Sequence, residues 1–466
     1  MNAIESDIGA VGIVLAGGRG SRMRSRMPKP LHTLAGRELI RYPIAALQKC
    51  GISRLVVVTS PENKDAIAGV LGDEVICAVQ RSPDGTADAV DCALRALPEV
   101  PTLVVVIAGD TPLVRPESIV GVIENHRTNA KRRMTILSAA GAYGPDLGHI
   151  KRAKRSSESE PGDLLRIEEA ADRDAPDYSL AEVNTGVYCF DGAWLDQYVR
   201  AAPKSSTGER YLTVLAATAA DAGVAVEAAP IALADEAMGV NDREQLAAAG
   251  AVMRDRINRF WMSAGVTLVD PAATYIDLGV QIGQDTVIQP NTMLLGDTTI
   301  GEECEIGPNS CIRDSAIGDR CRIAASTLEE CTVEAEVEIG PYSHLRPAAW
   351  IESGVHLGNY VEVKNSRIGS GTAAGHFCYL GDADVGGGVN IGAGTITCNY
   401  DGVDKHQTVI GRGAFIGSDT MLIAPVTVGE GGATGAGAVV TRDVPEGRRA
   451  VGVPARLLPQ QQSGSD

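Results

Sequence analysis

The second half of the 466-residue chain contains a long run of aliphatic residues spaced six positions apart. The run comprises Ile276, Ile282, Ile288, Leu294, Ile300, Ile306 and Ile312, and it resumes at Ile410, Ile416, Leu422 and Val428. A period of six fits neither a helix, whose period is about 3.6 residues, nor one continuous amphipathic strand, whose period is about 2. It fits a parallel solenoid in which each hexad supplies one short strand and one turn. The sequence therefore predicts an all-β helix whose axis is filled by stacked aliphatic side chains.

The hexads pair an aliphatic residue with a small one, as at Ile282-Gly283 and Ile300-Gly301. Handedness does not follow from this spacing, because parallel crossovers are usually right-handed. The pattern resembles that of the left-handed β-helix acyltransferases, which implies a left-handed parallel β-helix (hexapeptide repeat) and a homotrimer with active sites between neighbouring coils. A hexad array can also be a rigid spacer or a trimerising stalk, and the hexads alone leave that alternative open.

A glycine-rich loop follows the first predicted strand, Gly12 to Ala16. The loop reads Gly17-Gly18-Arg19-Gly20-Ser21-Arg22-Met23. Glycines let the backbone approach a phosphate and aim its N–H groups at it, and the two arginines with Lys29 add positive charge. The spacing matches neither the Gly-x-Gly-x-x-Gly dinucleotide fingerprint nor the Gly-Lys-Ser/Thr ending of a P-loop. The loop thus favours phosphate binding over hydride transfer or ATP hydrolysis, with a simple turn as the alternative.

A second buried strand, Leu103 to Ile107, delivers Gly109-Asp110-Thr111 to its carboxyl end, where open α/β sheets bind their ligands. A carboxylate beside a triphosphate makes chemical sense chiefly as a magnesium ligand, since the two negative charges otherwise repel. We therefore expect Asp110 to bind Mg²⁺. The alternative is that Asp110 only forms a turn.

Residues 15–23 and 28–32 resemble the signature of the sugar-1-phosphate nucleotidyltransferases. The resemblance implies an α/β, Rossmann-like domain that binds UTP and Mg²⁺, with Lys29 and Arg22 as catalytic cations. It assigns to the nucleotide Leu15, Ala16, Gly17, Gly18, Lys29, Gln80, Gly85 and Thr86. It assigns to the sugar phosphate Gly148, Glu168, Asn184 and Asn241, and it makes Asn241 the second metal ligand beside Asp110. Asp88, Ala108, His149 and Val214 depart from the family pattern, where a His, an aromatic residue, an Arg and an Asp are usual, and Arg19 and Ser21 replace a usual Lys and Thr.

Polar residues interrupt the hexads between about residues 345 and 441. There the chain resembles the bifunctional enzymes that acetylate glucosamine-1-phosphate and then couple the product to UTP, and the resemblance covers nearly the whole chain. An amine attacks a thioester only after a base removes its proton, and histidine titrates in the required range. The resemblance makes His376 that base. It assigns to the sugar phosphate Arg346, Lys364, Tyr379, Asn390 and Lys405, and to acetyl-CoA Ala393, Asn399, Tyr400, Ser418 and Ala436.

The same comparison of motifs divides the chain into a nucleotidyltransferase domain (8–243), a helical linker (244–265), a β-helix acetyltransferase domain (266–457) and a flexible tail (458–466). The formal net charge of -17 and the pI near 4.9 disfavour nucleic acid as a partner. The ten cysteines form no Cys-x-x-Cys pair, so neither a zinc cage nor a disulfide framework is expected. Since neither a leader sequence nor a long apolar run is present, we expect a cytoplasmic location without membrane contact.

These patterns predict a bifunctional enzyme that makes UDP-N-acetylglucosamine from glucosamine-1-phosphate, acetyl-CoA and UTP through N-acetylglucosamine-1-phosphate. Two alternatives stay open. One is a nucleotidyltransferase with another sugar or nucleotide preference, whose β-helix only trimerises. The other is a non-catalytic β-helix scaffold in which the departures mark decayed sites.

Overall fold

A computed structural model describes residues 9–141, 147–153, 163–169, 181–205, 208–231 and 233–458. The chain divides into two compact units, Met1–Met253 and Arg254–Asp466. The division falls inside the helix Arg243–Ser263, which covers most of the segment predicted as a linker. All of the predicted tail except Leu458 lies outside the described residues.

The first unit is built on one mixed β-sheet. Its strands are β1 (Ala10–Leu15), β2 (Thr33–Leu34), β3 (Arg37–Glu38), β4 (Leu55–Thr59), β5 (Ile76–Val79), β6 (Leu103–Ala108), β7 (Arg132–Gly141), β8 (His149–Arg152), β9 (Leu164–Glu168), β10 (Ala181–Asp191) and β11 (Ala225–Pro230). Its helices are α1 (Arg41–Lys49), α2 (Lys64–Leu71), α3 (Thr86–Arg95), α4 (Pro116–Arg127), α5 (Gly192–Val199), α6 (Val214–Asp221) and α7 (Arg243–Ser263). The strand order is β11-β7-β10-β6-β1-β4-β5, the small hairpin of β2 and β3 stands apart, and β8 and β9 attach to β10. Strands β6, β1, β4 and β5 run parallel, whereas β10 is antiparallel to β6 and β7.

The central strands are apolar along almost their whole length because helices cover both faces of the sheet. Helices α3, α5 and α6 pack on one face against alternate residues such as Ile13 and Val106. Helices α1, α2 and α4 pack on the other face against the intervening residues such as Val14 and Ile107. The carboxyl ends of β1 and β6 meet at one edge, because Leu15 pairs with Ala108. Ligands in such sheets bind outside that edge.

The second unit is a parallel β-helix with three faces. The first face contains Thr267–Leu268, Val287–Ile288, Glu305–Ile306, Arg322–Ile323, Glu338–Ile339, His356–Asn359, Ala373–His376, Asn390–Ile391, Phe415–Ile416, Ala433–Thr434, Arg449–Val451 and, antiparallel to the last, Arg456–Leu457. The second face contains Thr274–Ile276, Thr292–Leu295, Cys311–Arg313, Thr327–Glu329, His344–Leu345, Glu362–Lys364, Tyr379–Gly381, Ile396–Cys398, Met421–Ile423 and Val439–Val440. The third face contains Gln281–Ile282, Thr299–Ile300, Ala316–Ile317, Thr332–Val333, Trp350–Ile351, Arg367–Ile368, Ala383–Val385, Thr408–Ile410 and Val426–Val428.

The hexad aliphatic residues fill the axis of this helix, as their spacing predicts. Ile288, Leu294 and Ile306 have no exposed surface, and the least buried of the first run, Ile282, is 8% exposed. The small residue that follows lets coils approach closely at a corner. A Cβ on Gly283 would lie 2.5 Å from the backbone of Gly301 one coil away, so a larger residue would push the coils apart.

Among the residues that the structure describes, no helix has the length and apolar character needed to cross a membrane. All ten cysteines are free thiols.

Candidate active sites

A cleft of about 300 Å³ opens at the carboxyl ends of β1 and β6. The two strands are joined there by a hydrogen bond from the Gly109 N–H to the Leu15 carbonyl, 2.9 Å long. The cleft brings together most of the residues predicted to bind nucleotide or metal, namely Leu15, Ala16, Gly17, Gly18, Lys29, Gln80, Gly85, Thr86 and Asp110. Ala108, one of the departures from the family pattern, also lines it.

The two predicted metal ligands converge on one cationic atom. Lys29 Nζ donates to the Asp110 carboxylate and, at 3.0 Å, to Asn241 Oδ1. The loop that carries Asn241 is fixed because the Val240 N–H donates to the Asp110 carbonyl at 2.8 Å. A carboxylate oxygen and an amide oxygen that share one ammonium are close enough to share a hard cation, which prefers oxygen donors.

The two arginines of the phosphate loop differ in their position relative to the cleft. Arg19 lines the cleft, whereas Arg22 is exposed and lies outside the lining residues. Gly20 adopts a left-handed φ of 59°, and a Cβ there would lie 2.7 Å from Lys29 Cβ. This glycine therefore lets the loop fold over Lys29 and directs that ammonium into the cleft.

The predicted uracil loop is tied to a distant segment of the chain. Gly85 has φ 106°, and a Cβ on it would lie 2.4 Å from the Arg210 carbonyl oxygen. Thr86 Oγ1 accepts a hydrogen bond of 2.8 Å from the Leu212 N–H. Gln80 Nε2 donates to the Gly85 carbonyl at 3.0 Å. The loop is thus held rigid at the base of the cleft.

On the predicted sugar side, Gly148 and Asn184 are adjacent, because the Asn184 N–H donates to the Gly148 carbonyl at 2.9 Å. The Glu168 carboxylate instead pairs with Lys151 at 3.1 Å. Its neighbour Glu169 faces Gly148, since a Cβ on Gly148 would lie 3.3 Å from Glu169 Oε2. Glu169 is the first residue past the end of β9, and its carboxylate, not that of Glu168, lies beside Gly148.

Glu169 was missed by motif matching, and its negative charge also reaches a buried tyrosine. Burial raises the pKa of Tyr188, and the charge of Glu169 raises it further, while the hydrogen bond from Asn184 lowers it. No local sequence signal distinguishes the two glutamates, because β9 ends at Glu168 and both side chains are half-buried. Among the other departures, His149 is buried and Val214 begins α6, and neither lines the cleft.

In the second unit, the predicted base and three of the five predicted coenzyme contacts form one column. Asn359 pairs with His376 at the corner between the first and second faces, and the register of the following strands, continued past their ends, puts Ala393, Ser418 and Ala436 at the same position of the next coils. Neighbouring strands lie about 4.8 Å apart, so Ser418 stands roughly 10 Å along the axis from His376. The column can therefore accommodate an extended ligand.

His376 is exposed, and its Nδ1 lies 3.3 Å from Asn359 Oδ1. Because an amide oxygen can only accept, this contact is compatible with the tautomer that carries the imidazole hydrogen on Nδ1. The lone pair of Nε2 is then available to accept a proton.

Three cations cluster at the edge of the second face. Arg346 and Lys364 occupy matching positions on adjacent coils, and Lys405 reaches Lys364 from the following loop. The contact with Lys405 and the positive charges of Lys405 and Arg346 lower the pKa of the Lys364 ammonium. Glu362 neutralises Arg346 at 2.9 Å, but in the described chain neither lysine has a carboxylate within ion-pair distance. Like charges held together in this way favour an anion between them.

The loop around Lys405 is an insertion in the solenoid. Ile391 pairs with Ile416, 25 positions later, whereas the preceding coil joins Ala374 to Ile391 in 17. Asn399 anchors the loop by donating to the Asp382 carboxylate. Hydrogen bonding to His406 at 2.7 Å and to backbone N–H groups lowers the pKa of Asp401. Tyr400 is 61% exposed, and its backbone bridges to Lys405.

The structure does not gather every predicted acetyl-transfer residue on one face. Tyr379 lies on the second face beside Glu362. Asn390 is exposed and pairs with Ala373 on the first face. It therefore lies at the opposite edge of that face from His376, which is three residues after Ala373. A single chain thus presents two groups of predicted contacts on adjacent faces.

Comparison with known families supports the fold of both units. The family described as "MobA-like NTP transferase domain" matches residues 12–170, and "Bacterial transferase hexapeptide (six repeats)" matches residues 279–314. With the helix-covered sheet and the three parallel faces, these matches confirm the predicted fold class, an α/β Rossmann-like nucleotidyltransferase domain plus a left-handed parallel β-helix.

Similar proteins span both units. "Bifunctional protein GlmU" of Pelobacter propionicus is 43% identical over 442 residues, 94% of this chain and 95% of its own. The protein of the same name from Heliobacterium modesticaldum is 41% identical over 440 residues, 94% of each chain. Among solved structures, a putative glucose-1-phosphate thymidylyltransferase from Bacillus anthracis is 22% identical with a TM-score of 0.43, and the match covers 53% of this chain and 96% of that one.

Proposed function

The chain belongs to the GlmU family of bifunctional transferases, and from this premise we propose that it makes UDP-N-acetylglucosamine in two steps on two separate units. In the first step, acetyl-CoA acetylates glucosamine-1-phosphate. In the second, the product reacts with UTP and releases pyrophosphate. The observation that carries the proposal is that each unit assembles its own anion-binding group, around Lys29 in the first and around Lys364 in the second.

For acetyl transfer, His376 Nε2 removes a proton from the sugar ammonium. The freed nitrogen attacks the thioester carbonyl carbon, and the tetrahedral intermediate collapses with loss of the coenzyme A thiolate, which takes up a proton. Acetyl-CoA lies along the corner column, with Ala393, Ser418 and Ala436 as its contacts and Asn399 and Tyr400 beside it. Tyr379 and Asn390 orient the sugar.

For uridylyl transfer, an oxygen of the sugar phosphate attacks the α-phosphorus of UTP in line with the departing pyrophosphate. Asp110 and Asn241 would hold Mg²⁺, which neutralises charge on the phosphates when bound. With only one carboxylate in this pair, phosphates and water would supply the other ligands, as is usual for Mg²⁺. The Lys29 ammonium, which bridges the two oxygens, would then serve the phosphates with Arg19, while Arg22, predicted as a catalytic cation, lies outside the lining residues.

Glu169, rather than Glu168, is the glutamate that we expect to contact the sugar beside Gly148 and Asn184. Glu169→Gln should raise the KM for N-acetylglucosamine-1-phosphate about tenfold or more, because a hydrogen bond to a charged group is worth about 1.5–3 kcal/mol. Glu168→Gln is the matched control and should change it less than twofold, since Glu168 faces Lys151. Steady-state kinetics with varied sugar phosphate measure both variants. A larger rise in KM for Glu168→Gln than for Glu169→Gln would instead identify Glu168 as the residue that contacts the sugar.

The cluster of Arg346, Lys364 and Lys405 is proposed to hold the phosphate of glucosamine-1-phosphate. Lys364→Met should raise the KM for this substrate about tenfold to a hundredfold, because one charge-assisted hydrogen bond to phosphate is lost. The KM for acetyl-CoA should stay within about twofold. A variant with an unchanged KM for the sugar would remove Lys364 from the binding site.

We propose that three chains assemble into a homotrimer. Exposed aromatic side chains run along the corner beside His376, where the rings of Tyr342 and Tyr360 stack at 5.3 Å and Phe377 is 57% exposed. Contiguous apolar surface of this kind marks interaction sites. Assembly would also unite Asn390 of one chain with second-face residues of another copy. Sedimentation equilibrium should give three times the chain mass of 48.6 kDa.

A coupled assay tests the whole proposal. Glucosamine-1-phosphate, acetyl-CoA, UTP and Mg²⁺ should yield UDP-N-acetylglucosamine by mass spectrometry, and omission of acetyl-CoA should abolish that product. The competing hypothesis is a nucleotidyltransferase of other sugar or nucleotide preference whose β-helix only trimerises. It requires a different nucleotide sugar and no acetylated product.

A further inference from the structure

The amide of Gln80 is held by Asp88, and Asp88 is in turn held by Arg210. Gln80 Nε2 donates to Asp88 Oδ2 at 2.9 Å as well as to the Gly85 carbonyl. The other carboxylate oxygen, Asp88 Oδ1, accepts from the Arg210 guanidinium. Gln80 lines the cleft, whereas Asp88 and Arg210 do not. The two charged groups therefore act on the cleft through Gln80.

This network fixes which way the Gln80 amide points. Both partners of its nitrogen, a carbonyl and a carboxylate, are acceptors, so the atom facing them must be the NH₂ group. Both amide hydrogens are consequently used inside the protein. The oxygen lies on the opposite side, where a Cβ on Gly17 would be 3.2 Å from Oε1. Since Gly17 lines the cleft, Gln80 presents an acceptor to it.

The backbone of Arg210 is hydrogen-bonded on both sides to the segment that carries Asp88. The Arg210 N–H donates to the Asp84 carbonyl at 2.7 Å, and the Arg210 carbonyl accepts from the Ala87 N–H at 2.9 Å. The Asp88 and Arg210 side chains are only 16% and 20% exposed, so water screens their attraction weakly. Rotation of the Gln80 amide would set its oxygen against the Asp88 carboxylate and leave the carboxylate oxygen without a donor. Such a loss is costly in a partly buried site.

A fixed acceptor distinguishes pyrimidine bases. Uracil and thymine carry a hydrogen on N3, whereas cytosine carries a lone pair there. A hydrogen-bond acceptor held opposite N3 therefore binds uracil and thymine, whereas it repels the N3 lone pair of cytosine. A binding site that is built to form a particular hydrogen bond strongly rejects ligands that lack the group needed to form it.

We propose that Asp88, anchored by Arg210, is a positioning residue that fixes the Gln80 amide and so makes the cleft select uracil over cytosine. The inference rests on the proposed uridylyl transfer and on Gln80 as the base contact. It concerns this chain in particular, because the family usually carries a histidine at this position.

Rates of transfer to N-acetylglucosamine-1-phosphate, measured with UTP, CTP and dTTP on the full chain, test the proposal. In Asp88→Ala the UTP-to-CTP ratio of kcat/KM should fall about tenfold to a hundredfold, mostly through KM. The UTP-to-dTTP ratio should stay within about threefold, because both bases keep the N3 hydrogen. Arg210→Lys keeps the charge and should retain the parent ratio. Asp91→Ala is the matched control on the same helix, where Asp91 pairs with Arg95 and Arg200 away from Gln80.

A double-mutant cycle separates positioning from general damage. Gln80→Ala should lose the same discrimination, and adding Asp88→Ala to it should cause no further loss, because Asp88 acts through Gln80. An unchanged UTP-to-CTP ratio in Asp88→Ala, or an equal fall in Asp91→Ala, would overturn the proposal. If Asp88→Ala does not fold, Arg210→Met replaces it with an expected fall of about threefold or more, and an unchanged ratio there overturns the proposal equally. A parent protein that transfers no uridylyl group at all would instead refute the proposed function.

Discussion

His376→Ala should lower kcat for acetyl transfer by about 10²- to 10⁴-fold, which is the usual contribution of a general base. The reason is that no other imidazole occupies the corner column, so nothing else accepts the ammonium proton at that place. Uridylyl transfer should stay within twofold of the parent, because His376 belongs to the second unit. Both reactions can be followed separately, by thiol release from acetyl-CoA and by pyrophosphate release from UTP.

His356→Ala provides the control. His356 is another exposed histidine of the first face, and it pairs with Glu338 one coil earlier. Its removal should leave acetyl transfer within twofold. Raising the pH should restore part of the activity of His376→Ala, since more of the sugar amine is then neutral without a base. A loss of both activities in His376→Ala, or full acetyl transfer, would refute the assignment.

Asp110→Asn should reduce uridylyl transfer by about 10²-fold or more and raise the Mg²⁺ concentration needed for half-maximal rate. The substitution keeps an oxygen at the site but removes the negative charge that balances both the metal and the Lys29 ammonium. Acetyl transfer should be unchanged. Titration of Mg²⁺ at fixed UTP measures the effect.

Asp73→Asn is the matched control for this variant, because Asp73 is an exposed carboxylate of the same unit outside the cleft. It should leave the Mg²⁺ dependence unchanged. If Asp110→Asn kept the parent rate and the parent Mg²⁺ requirement, Asp110 would not be a metal ligand.

The sequence predicts features that depend on local pattern. The hexads identify the inward residues because one side chain per strand must fill the axis, and Ile288 and Leu294 are fully buried accordingly. The motif around Lys29 likewise locates the nucleotide cleft, since a strand, a glycine turn and a cation are contiguous in the chain.

Features that depend on distant contacts could not be predicted. Asp88 and Arg210 are 122 residues apart, and the sequence around each residue does not predict the ion pair between them. Motif matching also assigned Glu168 and did not single out Glu169, whose carboxylate faces Gly148 from just past the end of β9. The division of acetyl-transfer residues between two faces follows from how the coils wind, which the spacing of single residues does not reveal.

The insertion between Cys398 and Thr408 leaves every neighbouring strand pair in register, with Val385 still opposite Ile410 and Thr397 opposite Leu422. Residues inserted at that corner therefore do not change the strand pairing of the neighbouring coils. A lineage of such proteins could lengthen, shorten or replace this loop, and with it the substrate, at almost no cost to the scaffold, because each coil contacts only its immediate neighbours.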